Sequence, residues 1–119
     1  MDEERESLGR IEVAPEVIAT IARFAVLRVD GVLRMAPIPA HINRMFRRAT
    51  RQDGVVLDVA NNHVRFDIYV IMEPQANVLV ASRMMQTAVT EAIDTLVGVP
   101  VDAVNIHVED VVYESGQTV

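Results

Sequence analysis

Gly54-Val55-Val56-Leu57-Asp58-Val59-Ala60-Asn61-Asn62-His63-Val64-Arg65-Phe66-Asp67-Ile68-Tyr69-Val70-Ile71-Met72-Glu73 is the stretch around which the rest of the chain can be organised. Two runs rich in Val, Ile, Leu and Phe flank an Asn-Asn pair, and asparagine tolerates the positive φ that a two-residue hairpin turn requires. The arms are therefore Val55–Ala60 and His63–Glu73. Such a turn leaves one register: Val59 opposite Val64, Leu57 opposite Phe66 and Val55 opposite Ile68 on one side, Asp58 opposite Arg65 on the other. Apolar pairs and an opposite-charge pair favour the same alignment, each a stabilising cross-strand contact. One apolar and one polar side predict a sheet with a single covered face.

Downstream, Pro74 stops the second arm, and Asn77 is placed to cap a long helix that ends before Gly98. Val78, Ala81, Met84, Met85, Ala88, Val89, Ala92, Ile93 and Leu96 recur at helical spacing as its apolar face, and the methionines read as core filler. From Ala103 to Tyr113 the chain alternates again, with Val104, Ile106 and Val108 on one face and Asn105, His107 and Glu109 on the other.

Upstream, Arg10–Val13 alternates like a short strand, and Pro15 suits the first turn of a helix running to Val29 before the Asp30-Gly31 turn. Its expected apolar face is Val17, Ile18, Ile21, Ala22, Phe24, Ala25 and Val29, while Leu27 falls on the polar stripe with Glu16, Thr20 and Arg23. Val32–Met35 reads as a strand closed by Pro37 and Pro39. The segment Ala40–Arg51 then sets Ile42, Met45, Phe46 and Ala49 on one side of a helix and Arg44, Arg47, Arg48 and Arg51 on another.

The element order predicts an α+β fold of two layers, a mixed, mostly antiparallel sheet with two main helices on one face and one short amphipathic helix. Strand order is left open. Residues 1–8 are expected to form a mobile acidic arm, 9–114 a single α/β domain and 115–119 a frayed tail.

The 119 residues are half apolar, contain no cysteine or tryptophan, and carry all 11 positive charges as arginine against 17 Asp and Glu, for a net charge of -6. Disulfides, thiolate metal sites and cysteine nucleophiles are thereby excluded, and the acidic balance argues against nucleic acid as a partner. No stretch is long and apolar enough to form a membrane-spanning helix, and the acidic amino end is unlike a signal peptide. The five glycines are isolated, so no phosphate loop exists, and no nucleophile elbow is present. No catalytic residue and no cofactor site is expected. His41, His63 and His107 lack metal-ligand spacing, although His63 and His107 share a sheet face with Asp67 and Glu109, and no metal is expected.

The candidate interaction surface is Leu27, the arginine set Arg44, Arg47, Arg48 and Arg51, and the open sheet face carrying His107. The arginine segment fits a solvated outer face, attraction to an anionic membrane, or an acidic partner or nucleic acid.

Gly9-Arg10-Ile11-Glu12-Val13-Ala14-Pro15-Glu16-Val17-Ile18, followed by Val29-Asp30-Gly31-Val32, resembles the opening signature of the alkaline shock protein family, the Gls-type cell-envelope stress response proteins. The blocks Gly54–Val59, Val64–Met72, Asn77–Val89 and Val104–Val111 fit in order and spacing. The resemblance implies a small bacterial cytoplasmic α/β domain without established catalysis, concerned with envelope homeostasis, prone to homo-oligomerise, and in some relatives held at the membrane by a separate membrane protein. It carries over no catalytic residue. The chain departs from the family in the middle, where a proline-bounded arginine helix replaces a glycine-rich or basic linker. The function expected is thus a non-enzymatic envelope stress response protein acting through self-association and protein partners. The second reading is an accessory domain that binds an anionic ligand or nucleic acid through the arginines.

Overall fold

The structure, a computed structural model, describes residues 8–45 and 49–112, with side-chain surroundings defined outside 43–45. In chain order the elements are α1 (Pro15–Leu27), β1 (Val32–Met35), α2 (Ala40–Met45), β2 (Thr50–Gln52), β3 (Val55–Ala60), β4 (His63–Met72), α3 (Val78–Leu96) and β5 (Val101–Val111). The α+β class holds, with a mixed sheet and both long helices on one face.

The β3–β4 hairpin has the register expected from its turn: Val59 pairs with Val64, Leu57 with Phe66, Val55 with Ile68 and Asp58 with Arg65. Asn61 and Asn62 have φ of 52° and 64°, the left-handed conformation that a short asparagine side chain accepts. β4 organises the sheet. Along one edge it pairs antiparallel first with β3 and then with β1, and along the other it pairs in parallel with β5, which α3 returns to the sheet. β2 closes the far side of β3.

Alternation along β4 sends Val64, Phe66, Ile68, Val70 and Met72 into the main core, where they meet Ile18, Ala19, Ala22 and Val26 of α1 and Ala81, Met85, Val89 and Ile93 of α3. Each large side chain buried there contributes on the order of 2 kcal/mol relative to exposure. The α3 helix starts as its cap predicts, with the Asn77 carboxamide oxygen accepting from the Val80 N–H at 3.0 Å. It ends where the Gly98 N–H returns to the Ile93 carbonyl.

Several expectations are corrected. Arg10–Val13 forms no strand: it is exposed, Ile11 is 97% accessible, and it pairs with none of the strands of the sheet. The α1 helix stops at Leu27, two residues early, and its inward residues include Ala19 and Val26, while Val17 and Phe24 point to solvent. On α3 the inward stripe is narrower than the apolar pattern, leaving Val78, Met84 and Leu96 exposed. The last strand begins at Val101 and ends at Val111. The arginine segment is not helical to its expected end, since Arg51 lies in β2 opposite Val56. The second sheet face is not open along its length either: Ala36, Ile38 and Ile42 pack over Val56, Tyr69 and Ile71. Most of the acidic arm (1–7), Phe46, Arg47, Arg48 and the expected tail lie outside the described residues.

Gly54 sits at the junction of β3, β4 and the end of β1 with φ +81°, and a Cβ there would lie 2.9 Å from the Ala36 and Tyr69 carbonyl oxygens and the Met35 Cβ. Gly98 has the same φ but open space around it. Gly98→Ala should therefore cost about 1 kcal/mol from backbone strain alone. Gly54→Ala should cost about 3 kcal/mol or more, because backbone must also move. Urea denaturation midpoints of the two variants check this order.

Candidate functional site

Two surfaces carry chemistry beyond packing. The first is on the second sheet face, built by odd-numbered residues of β4 and β5. The parallel register sets Asp67 beside Asn105 and Tyr69 beside His107. The Tyr69 and His107 rings stack with centroids 4.4 Å apart and planes 11° from parallel. Asp67 Oδ1 accepts from His107 Nε2 at 2.9 Å and from the Asn105 carboxamide N–H at 3.3 Å. The carboxylate thus fixes the ring nitrogen that carries hydrogen and holds the imidazole flat on the phenol ring. His63, on the same face, instead pairs with Asp102 through Nδ1 at 2.7 Å.

The Tyr69 phenol is pushed above its ordinary value of 10.0, first by burial and then by the negative charges of Asp67 and Glu109. It is consequently protonated at neutral pH and is no nucleophile. Tyr69, His107, Asp67 and Asn105 thus form one ordered network, a stacked ring pair anchored by two hydrogen bonds on Asp67 Oδ1. Among the described residues no group of three or more His, Asp or Glu converges as a metal site.

The second surface is on the outside of the helical layer. α1 and α3 diverge over a groove of about 730 Å³ whose apolar lining includes Ala25, Val29, Met84, Ala88, Ala92 and Leu96, with Arg28, Arg83 and Glu91 at its margins. Leu96 is 67% exposed and Met84 49%, and Phe24, one residue before Ala25, is 56% exposed. Neighbouring exposed apolar side chains of this size are the usual mark of a contact surface. The small floor residues Ala25 and Ala88 make the depression possible.

The residues singled out from sequence do not converge. Leu27 ends α1 in the helical layer and is 37% exposed. His107 is on the opposite side of the sheet, within the stacked cluster. Arg44 is on α2, Arg47 and Arg48 lie outside the described residues, and Arg51 is part-buried in β2, where Nη1 donates to the Ala49 carbonyl at 3.3 Å. Sequence reading missed Tyr69 as the partner of His107 and missed the groove. The shared face of His107 and Asp67 was a legible signal for the first. For the second, an apolar face on α3 wider than one sheet can cover was the available sign.

Glu109→Gln should lower the Tyr69 phenol pKa by removing one of the charges that raise it. Because the folded phenol titrates above the unfolded one, its contribution to stability is complete below pH 10 and is lost as pH rises through the folded value. Ultraviolet titration of a Tyr113→Phe background, which leaves Tyr69 as the one tyrosine, checks both statements.

The model of the alkaline shock protein 23 family, described as having a cell envelope-related function, matches residues 3–113. An uncharacterized protein of Streptococcus pyogenes, Spy1535, is 34% identical over 113 residues, covering 92% of this chain and 84% of that one. YqhY of Bacillus subtilis, also uncharacterized, is 26% identical over 116 residues, covering 97% and 86%. Among solved structures, a MamM CTD variant in its zinc form superposes with a TM-score of 0.50 at 14% identity, covering 80% of this chain and 84% of that one, a likeness of fold alone.

Proposed function

Because the chain belongs to the alkaline shock protein 23 family, whose function is cell envelope-related, we propose that it serves the envelope without catalysis, by associating with itself and with a protein partner at the membrane. The observation that carries this reading is the apolar groove between α1 and α3, an exposed surface for which the fold has no internal use. No described helix is long and apolar enough to cross a membrane, so attachment through a membrane protein is the economical route to the envelope. In that arrangement the groove takes the partner, whose segment would place apolar side chains over Ala25 and Ala88 with charge facing Arg28, Arg83 and Glu91.

The second reading, an anionic ligand or nucleic acid held by the arginines, has Arg51 in β2 and not on the helix with Arg44, while Arg47 and Arg48 lie outside the described residues.

Sedimentation should show self-association of the purified chain, and fractionation of its host cells should find it with the envelope. Met84→Glu combined with Leu96→Glu should release it to the soluble fraction while leaving the melting temperature within a few degrees, since both side chains are already exposed. A strictly monomeric protein would sink the self-association, and unchanged envelope recovery of the double variant would sink the groove.

A further inference from the structure

The sheet ends on one side in β5, an 11-residue strand that pairs only with β4, so its other edge faces no strand among the described residues. At about 3.3 Å per residue that edge is about 35 Å long. Monomeric sheet proteins blunt such edges with charge, proline or brevity. The run Ala103–Val108 has none of these: it contains no charged residue, no proline and no glycine. The register against β4 is unbroken across it, with irregularities only before Ala103 and after Val108. The opposite end of the sheet is different in kind. β2 has three residues, and α1 leans on it through a Thr20–Gln52 hydrogen bond of 2.6 Å.

We infer that the free edge of β5 is the surface by which two copies of this chain pair, antiparallel and about a two-fold axis at Asn105, into one continuous sheet. The inference rests on the self-association proposed above and gives it a place. A second copy is the occupant because the run is complementary to its own reverse. Val104 meets Ile106 on the helical side, where Ile106 is left half-buried, and on the far side Asn105 meets its own copy while Ala103 faces His107. Two-fold registers centred on Asp102 or Glu109 would instead set a carboxylate against its own copy, and one centred on Ile106 would set Asp102 against Asp110, whereas centring on Asn105 keeps the carboxylates apart.

α3 agrees with this. The flank it turns toward β5 is marked by Gln86, whose side chain donates to the Val104 carbonyl at 3.0 Å. Leu79, Ser82 and Thr90 share that flank at helical spacing, all uncharged, and Leu79 is exposed. Pairing of the strands would bring this neutral strip against its copy. The Gln86 contact does not close the edge, because a carbonyl oxygen can accept a second hydrogen bond.

Hydrogen exchange of the wild-type chain over roughly three decades of concentration should show protection of the 103–108 amides rising together with the sedimenting mass. The chain has no native cysteine, so Asn105→Cys should form an intermolecular disulfide under mild oxidation at least tenfold faster than Leu96→Cys. Ile106→Lys, which would set a charge against Val104 of the other copy, should weaken association by roughly 100-fold, with circular dichroism confirming that the variant is folded. Association accompanied by protection at the α1–α3 groove alone, with Leu96→Cys crosslinking faster, would overturn the edge assignment and leave the proposed self-association standing. Absence of association at every concentration would remove both.

Discussion

The register of the β3–β4 hairpin is the constraint on which the remaining structure depends. Side chains alternate with period two along a strand, so a slip of one residue would send Phe66, Ile68 and Val70 to the far face and Asp67 into the core. The two positive-φ asparagines prevent that slip locally, and the Asp58–Arg65 and Leu57–Phe66 pairs prevent it along the arms. Once β4 is oriented, β1 and β5 are built on it directly, and the helices have a single apolar face on which to dock. The stacked Tyr69–His107 pair is a product of the same choice, since Tyr69 is outward only because Ile68 and Val70 are inward.

Helix docking sets the shape of the outer surface. α1 approaches the sheet through Ala19 and Ala22, both fully buried, and α3 through Ala81. Small residues at the contact allow close approach, which moves the larger apolar side chains at other angles of each helix out toward water. Phe24 is the plainest case: it lies beside an inward helical stripe without belonging to it, and the Arg23 guanidinium covers its ring at 4.7 Å. The groove lined by Ala25, Ala88, Met84 and Leu96 follows from the same geometry. It is lined by side chains that helical periodicity assigns to the core and that the finite width of the sheet cannot reach.

What could be read from the sequence follows the range of the interactions involved. The hairpin register, the Asn77 cap and β1 were legible because each is decided within a few residues by turn chemistry, capping or proline punctuation. Arg10–Val13 was misread because alternation describes a strand's side chains but not the partner edge it requires, and the segment pairs with none. Arg51 was misread because helical spacing of four arginines is compatible with a helix without requiring one, and pairing to Val56 wins at that position. The His107 cluster was half legible: its shared face with Asp67 followed from alternation, whereas the contact depends on a parallel β4–β5 register set by the α3 crossover.

The two proposed contact surfaces lie on opposite flanks of α3. Within little more than one turn of the helix, Gln86 is directed toward β5 and Met84 and Ala88 toward the groove beside α1. On the proposed reading, pairing through β5 therefore leaves the groove uncovered in both copies, and a two-fold dimer presents two grooves on the same helical side of one extended sheet. A partner that engages both gains from the second contact being intramolecular, so two weak groove interactions suffice for firm retention at a surface. The net charge of -6 limits how closely such dimers crowd, since bodies of like charge repel over roughly a Debye length of 10 Å or less in cellular salt. On the same reading, association through an uncharged run of edge, with charge kept to the strand ends and the groove margins, spares an acidic chain much of the repulsion that pairing with itself would bring.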